Sequence, residues 1–367
     1  MATIRKRSWQ TKDGEKTAWV ADYLDQHGKR RLKTFATKKA ADAWMVTARH
    51  QVASGTHTPE STSAMIGEAV ELWIQRAEAE GLERATLDQY RQHRGHILAL
   101  IPAGERLAKL TTARCEQLRD DLVAGHKRPM ARKVLQSFKS VLKDAKRRGL
   151  VAQNVAADTT IGKDKRHKRK LKAGVDFPLP AELRAMLEAA DPKAKALVCL
   201  AALAGLRASE LRGLRWSSLD LGAKPSVTVN ERADRWNSVG SPKSASSRRA
   251  IPLGEVATRV LKEWRLAQPP GRSLVFGTAA DRPDVLGNLQ RRLLTPLCAA
   301  AGAPRYGWHS LRHYAISSWL ASGIDLKTAQ HWAGHATLAL TLDTYGHLIP
   351  RADDHQRIAA AERGLFG

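Results

Sequence analysis

Residues Trp319–Leu348, WLASGIDLKTAQHWAGHATLALTLDTYGHL, place three histidines and one tyrosine in helix-like spacing with glycine punctuation. Three readings compete for this stretch: a metal site, a set of core histidines, or a set of groups that prepares Tyr345 for chemistry. His331 and His335 are four apart, as in a zincin helix, but HWAGH carries Trp332 where that motif needs Glu. Gly334 also breaks the helix between them, so no metal site is expected. His331 reads as a partly buried structural residue and Trp332 as a core anchor.

The chain around this stretch has 367 residues, enough for two or three domains, and 43% of them are hydrophobic, enough for packed cores. Lys and Arg total 61 against 36 acidic residues, a formal net charge of +25, which calls for a polyanionic partner. No apolar run approaches a transmembrane span, and the first residues lack the apolar stretch of a signal peptide. Nucleic acid rather than membrane is the expected partner, for a cytoplasmic protein that is nucleoid-associated when bound to DNA. Cys115, Cys199 and Cys298 are far apart and odd in number, and read as small core hydrophobes. No GxxxxGK[ST] and no DxDxDG-like loop occurs, so no cofactor is expected.

The patterning predicts a multidomain α+β chain. In residues 1–58, TIRKRSWQ, TAWVADYL and KRRLKTFAT alternate as strands of a three-stranded meander. A helix follows with Thr37 as N-cap and Ala41, Trp44, Met45 and Ala48 on its apolar face. Arg5, Lys6, Arg7, Arg30, Arg31 and Lys33 crowd strands that also hold Trp9 and Trp19, a composition suited to a DNA groove. Residues 61–160 carry helical periodicity throughout and predict a helical bundle. Residues 161–175 form a basic linker in which Lys165, Arg166, Lys168 and Arg169 can follow a phosphate backbone. Residues 176–367 predict a mostly α domain with a small antiparallel sheet. There AKALVCLAALAG is apolar on all sides and reads as a buried helix, while SVTVN and RRAIPL read as strands.

Several chemistry-bearing residues lie in this last domain. Arg207 follows the buried helix, with Glu210 three residues on to orient it. Lys243 sits at a Gly/Ser/Pro-rich hairpin tip, His309 and Arg312 share the face of a helix start beside His313, and His335 precedes Tyr345 by ten residues. In chain order these segments resemble the signature of the tyrosine recombinases, the phage-integrase family. AGLRASELRGLRW resembles its first arginine box and PKSASSRRAIPL its lysine hairpin. HSLRHYAISSWLASGID resembles its His-x-x-Arg box and AGHATLALTLDTYGHL its Leu-Gly-His segment and tyrosine motif, with Ala333 where the family usually has Leu.

The resemblance implies a site-specific recombinase that cleaves and rejoins DNA through a 3′-phosphotyrosyl intermediate, integrating or excising a mobile element. Arg207 and Arg312 would hold the scissile phosphate, because a planar guanidinium matches its edge. Tyr345 would attack, Lys243 would protonate the leaving 5′ oxygen, and His309 and His335 would serve the phosphate or accept a proton. Glu210 and His313 would orient that layer. The segments before it fit, by resemblance, an arm-type DNA-binding domain and a helical, SAM-like core-binding domain. The implied partners are double-stranded DNA at core and arm sites, a homotetramer, and a DNA-bending accessory protein. The tail RADDHQRIAAAERGLFG would dock on a neighbouring protomer. The rival readings are a non-catalytic DNA-binding relative and a type IB topoisomerase-like enzyme. All six active-site positions carry workable groups, against the first, and the N-terminal sheet argues against the second and against a chromosome-dimer resolvase.

Overall fold

Period-two patterning at the N-terminus resolves into an antiparallel sheet of β1 (Thr3–Thr11), β2 (Gly14–Leu24) and β3 (Arg30–Phe35), paired in that order. The computed structural model describes residues 2–12, 14–60, 63–162, 170–242, 247–348 and 362. Helix α1 (Lys38–Ala53) starts at Thr37, whose Oγ1 accepts from the Ala40 amide at 3.2 Å, and buries Ala41, Met45 and Ala48. Met45 packs with Ala21 and Tyr23 of β2, so one sheet face is covered. Side chains alternate across a strand, so the pairings Ile4↔Ala21 and Ala21↔Lys33 define the covered face. The pairings Arg5↔Val20 and Arg7↔Ala18 define the open one.

Residues 66–147 supply the next core. Helices α2 (Ile66–Ala79), α3 (Arg84–Leu100), α4 (Thr112–Gly125) and α5 (Arg128–Arg147) pack through Ile66, Val70, Trp73, Ile97, Leu118, Leu122 and Phe138. Trp73 stacks on Tyr90 with ring centroids 4.0 Å apart and donates its indole N–H to Ser140 Oγ at 3.1 Å. Near the end of α5, buried Asp144 faces Arg76 at 3.2 Å, Arg147 at 2.8 Å and Arg148 at 2.9 Å. Burial alone would raise its pKa, but the hydrogen bonds from Arg148 and Arg147 and the charge of Arg76 hold it below the ordinary value.

The chain divides into two compact units, Met1–Arg166 and His167–Gly367. Within the first unit the sheet and the helices are tied together. Lys33 and Lys109 both pair with Glu60, at 2.8 and 3.2 Å, and the Ala152 amide donates to Thr58 Oγ1 at 2.9 Å.

The second unit is built round a helix that is apolar on all sides. After α6 (Pro180–Glu188), α7 (Pro192–Leu203) buries Ala196 through Ala202 completely and packs against α9 (Glu255–Ala267) and α12 (Trp308–Ala321). Between them come α8 (Ala208–Gly213) and the strands β4 (Leu219–Asp220), β5 (Ser226–Val229), β6 (Arg232–Ala233), β7 (Val239–Gly240) and β8 (Arg249–Pro252). β4, β5 and β8 form one antiparallel sheet, and β6 and β7 pair separately. A helix with a π-type segment at Gln290–Leu294 joins α10 (Leu286–Leu289) to α11 (Thr295–Ala300). The short helices α13 (Leu326–Ala333) and α14 (Leu338–Tyr345) close the described part of the unit. Among the described residues no helix is long and apolar enough to cross a membrane. All three cysteines are buried and free. The tail expected to dock on a neighbour, residues 351–367, lies outside the described residues apart from Glu362.

Asp144→Asn removes a charge that three arginines share. It is expected to lower the stability of the first unit by roughly 2 kcal/mol, the scale of a charged hydrogen bond in a buried setting. The readout is a lower urea midpoint with an unchanged slope.

Candidate active site

Arg207 occupies the position just before α8, where the chain leaves the buried α7 through Gly205. Gly205 has φ +63°, and a Cβ there would lie 2.8 Å from the Trp319 ring, so the turn needs glycine. Glu210, in the first turn of α8, reaches back. Its Oε1 accepts from Arg207 Nη1 and its Oε2 from the Arg207 amide, both at 2.8 Å. Glu210 is buried, which alone would raise its pKa. The hydrogen bonds and charge of Arg249, with the charge of Arg207, hold it below the usual carboxylate range.

The turn that ends α13 draws the arginines together. Gly334 adopts the left-handed conformation, φ +59°, and so leaves the last carbonyls of α13 pointing outward. Arg207 Nη2 donates to Gly334 O at 2.7 Å, Arg312 Nη2 donates to Ala333 O, and Arg249 Nε donates to Trp332 O at 2.5 Å. Arg312 also donates from Nη1 to Gly205 O at 2.6 Å, and its Nε is buried without a partner among the described residues. Burial, with the charge of Arg207, lowers the hold of Arg312 on its proton.

The histidines and the tyrosine stand beside this turn. His309, Arg312 and His313 follow the i, i+3, i+4 spacing of one face of α12. The rings of His309 and His313 meet edge to face at 4.5 Å. Burial, with the charges of His309 and Arg312, pushes His313 down to about 4. Burial pushes Tyr345 up to about 12, with the charge of Arg312 opposing. The two side chains touch directly: Tyr345 Oη and His313 Nδ1 share a hydrogen bond of 2.6 Å. His335 lies nearly parallel to the Tyr345 ring, 6.3 Å away, and its Nδ1 shares a hydrogen bond of 2.9 Å with Thr341 Oγ1. Burial and the charges of Arg312 and Arg207 push His335 down to about 3. Tyr345 and Arg312 are each 1% exposed, enclosed by the site's own groups. Tyr345 packs with Ile316, Leu320 and Leu171, and the next turn is pinned by His347 Nε2 donating to Leu171 O at 2.9 Å.

Arg207, Glu210, His309, Arg312, His313, His335 and Tyr345 thus come together, whereas Lys243 lies outside the described residues. Arg249 joins them without having been singled out from the sequence. The signal was present, since the alternation of RAIP puts Arg249 on the buried side with Ile251. His331, expected to be partly buried, is exposed, because α13 turns that face to solvent, while Trp332 packs edge to face on Trp319.

The basic residues of the first unit divide by strand alternation. Arg5, Arg7 and Arg30 lie on the open face, where Arg30 pairs with Asp22. Lys6, Arg31 and Lys33 have the opposite parity. Arg31 is 17% exposed and held by Asp25 at 2.8 Å, and Lys33 is held by Glu60. Lys165, Arg166, Lys168 and Arg169 lie outside the described residues.

Comparison with known proteins follows the same residues. The Phage integrase family model matches residues 179–351, which span the site from before Arg207 to beyond Tyr345. A tyrosine recombinase XerC-like protein of Caldanaerobacter subterraneus subsp. tengcongensis is 24% identical over 356 residues, covering 89% of this chain and 90% of its own. The tyrosine recombinase XerC of Mycobacterium sp. (strain KMS) is 31% identical over 229 residues, covering 56% of this chain and 67% of its own. In structure the chain is similar to the Tn1549 transposon integrase in complex with a circular intermediate DNA. The TM-score is 0.62 at 18% identity, over 82% of this chain and 99% of that one. It is also similar to a lambda integrase in a dimer bound to a COC′ core site, with TM-score 0.61 at 17% identity, over 94% and 97% of the two chains. At such identities the structural likeness establishes the fold, and the sequence matches establish the kinship. The chain belongs to the phage integrase family of tyrosine recombinases, enzymes that cleave and rejoin DNA.

Proposed function

We propose that this recombinase integrates or excises a mobile element, and that it cuts through a 3′-phosphotyrosyl intermediate formed on Tyr345. The observation that carries the reading is the convergence of Arg207, Arg312, His313, His335 and Tyr345 on the turn that ends α13. In the proposed step Tyr345 Oη attacks the scissile phosphorus, the P–O5′ bond breaks, and Lys243 protonates the departing 5′ oxygen. Arg207 and Arg312 hold the non-bridging oxygens, where negative charge grows, and the unpartnered Arg312 Nε supplies a donor for that anion. Glu210 orients Arg207. His313 holds the hydroxyl of Tyr345, and His309 and His335 serve the phosphate or take up the proton. The bond energy stays in the phosphotyrosyl link, so a free 5′ hydroxyl rejoins the strand without a nucleotide cofactor. Because Arg312 and Tyr345 are buried, the proposed step calls for α14 to shift from α12 as the phosphate enters.

The partners proposed are double-stranded DNA, a homotetramer and a DNA-bending accessory protein, in the cytoplasm and on the nucleoid. Residues 1–58 would bind arm sites, residues 61–160 the core site, residues 161–175 the intervening backbone, and residues 176–367 the cleavage point. A lambda integrase tetramer bound to a Holliday junction has a TM-score of 0.59 to this chain over 90% of its length, which supports the four-protomer reading. The arm-site proposal rests on the open sheet face of Arg5, Arg7, Arg30 and Trp9, and Lys6 has the opposite parity. Arg31 and Lys33 are committed to internal ion pairs.

On a supercoiled plasmid carrying the DNA that flanks the gene, wild type is expected to form an SDS-resistant protein–DNA adduct and Tyr345→Phe none; an adduct with both variants would place the nucleophile elsewhere. Arg207→Ala or Arg312→Ala should slow adduct formation by about 10²–10³. Arg5→Ala combined with Arg7→Ala should flatten the salt dependence of arm-site binding by about 2 in log–log slope, nearly one per lost phosphate contact. His313 and His335 are held below their ordinary value, so the folded protein favours their neutral forms. That contribution is complete above about pH 6.5 and shrinks as pH falls toward 4. The melting temperature of the second unit should therefore drop across that window, and less steeply in His313→Gln/His335→Gln.

A further inference from the structure

Arg249 is a buried charge of the site. Its side chain is 0% exposed, so it cannot meet DNA, and whatever it contributes passes through its neighbours. Those neighbours are the groups that set the phosphate-binding layer. Arg249 Nη1 donates to Glu210 Oε1 at 3.0 Å and Nη2 to Glu210 Oε2 at 2.9 Å, a two-toothed grip on one carboxylate. Each of those oxygens also accepts from Arg207, at Nη1 and at its amide. The same guanidinium donates from Nε to Trp332 O at 2.5 Å and from Nη1 to Ser247 O at 2.9 Å. It lies flat against Gly334, where a Cβ would come within 3.0 Å of Nη1.

We propose that Arg249 is a positioning residue for DNA cleavage: it locks the Glu210 carboxylate and the α13 turn in one orientation, and through them fixes the guanidinium of Arg207. Arg207 is partly exposed and borne on a long flexible stem. The fixed points that steer its head are Glu210 Oε1 and Gly334 O. Arg249 holds the first directly, and it holds the turn that presents the second by bonding Trp332 O and packing on Gly334. Lysine cannot replace it, since one ammonium cannot grip both Glu210 oxygens and also reach Trp332 O in the plane of a fork. The assignment rests on the reading of Arg207 as a phosphate-binding group.

The test compares strand cleavage of the DNA that flanks the gene with the same DNA carrying an uncharged methylphosphonate at the scissile position. A neutral phosphonate makes far less demand on a guanidinium than a phosphate does. Arg249→Lys should cut the phosphate about 10²-fold more slowly than wild type, the scale of a misplacement of about 1 Å, with DNA affinity within about twofold. On the methylphosphonate its deficit should shrink, in parallel with that of Arg207→Ala. Partial unfolding would slow both substrates equally, so an equal deficit on the two overturns the proposal, as does wild-type cleavage by Arg249→Lys. If Arg207→Ala itself shows no relief on the methylphosphonate, or wild type fails to cleave the phosphate, the reading of Arg207 falls first and the role of Arg249 with it.

Discussion

Three consecutive carbonyl oxygens, those of Trp332, Ala333 and Gly334, accept hydrogen bonds from Arg249, Arg312 and Arg207 respectively. They are the last two carbonyls of α13 and that of its Gly334 cap, left without helical partners and lying at the negative end of the helix dipole. Cations gather there for the reason anions gather at an N-terminus, and the left-handed Gly334 turns the oxygens toward them. The arginines come from elements far apart in the chain: the start of α8, strand β8 and helix α12. One short turn therefore brings three segments of the domain into a common frame, and Tyr345, on the following helix, inherits that frame.

The architecture beneath the turn rests on simpler terms. The burial of α7 on every side fixes α12 against it, and Gly205 lets the chain leave α7 without striking Trp319. β5 and β8 present Val227, Val229 and Ile251 to the core, and the same alternation carries Arg249 inward. Hydrophobic packing sets the positions of the elements, and hydrogen bonds to backbone oxygens then set the directions of the charges they carry.

Much of this could be read from residues alone, because it is local. The strands at the N-terminus, the Thr37 cap, the all-round apolarity of AKALVCLAALAG and the pairing of Arg207 with Glu210 all follow from spacings of a few residues. The rest was illegible because it depends on distant partners. In a chain with 61 Lys and Arg, one more arginine on a strand reads as surface until Glu210, 39 residues away, and Trp332, 83 residues away, are seen to enclose it. Which histidine touches Tyr345 depends on the rotation of α14 against α12, and the answer, His313, is 32 residues from the hydroxyl it holds. His331 shows the same limit in reverse: it reads from the sequence as a partly buried structural residue, and the orientation of α13 leaves it in solvent.

The hydrogen-bonded cluster of Arg207, Arg249, Arg312 and Glu210 sets three guanidiniums against a single carboxylate, among the described residues, in a largely buried setting. Backbone oxygens soften that imbalance with partial charges but do not cancel it. That imbalance is self-repulsion in the interior, and on the proposed reading an arriving phosphate would relieve it. A domain built this way would be a loaded spring in electrostatic form, and a bound anion would make it tighter and harder to unfold. Occupancy and rigidity at the proposed cutting site would then rise together, with no separate device needed to link them.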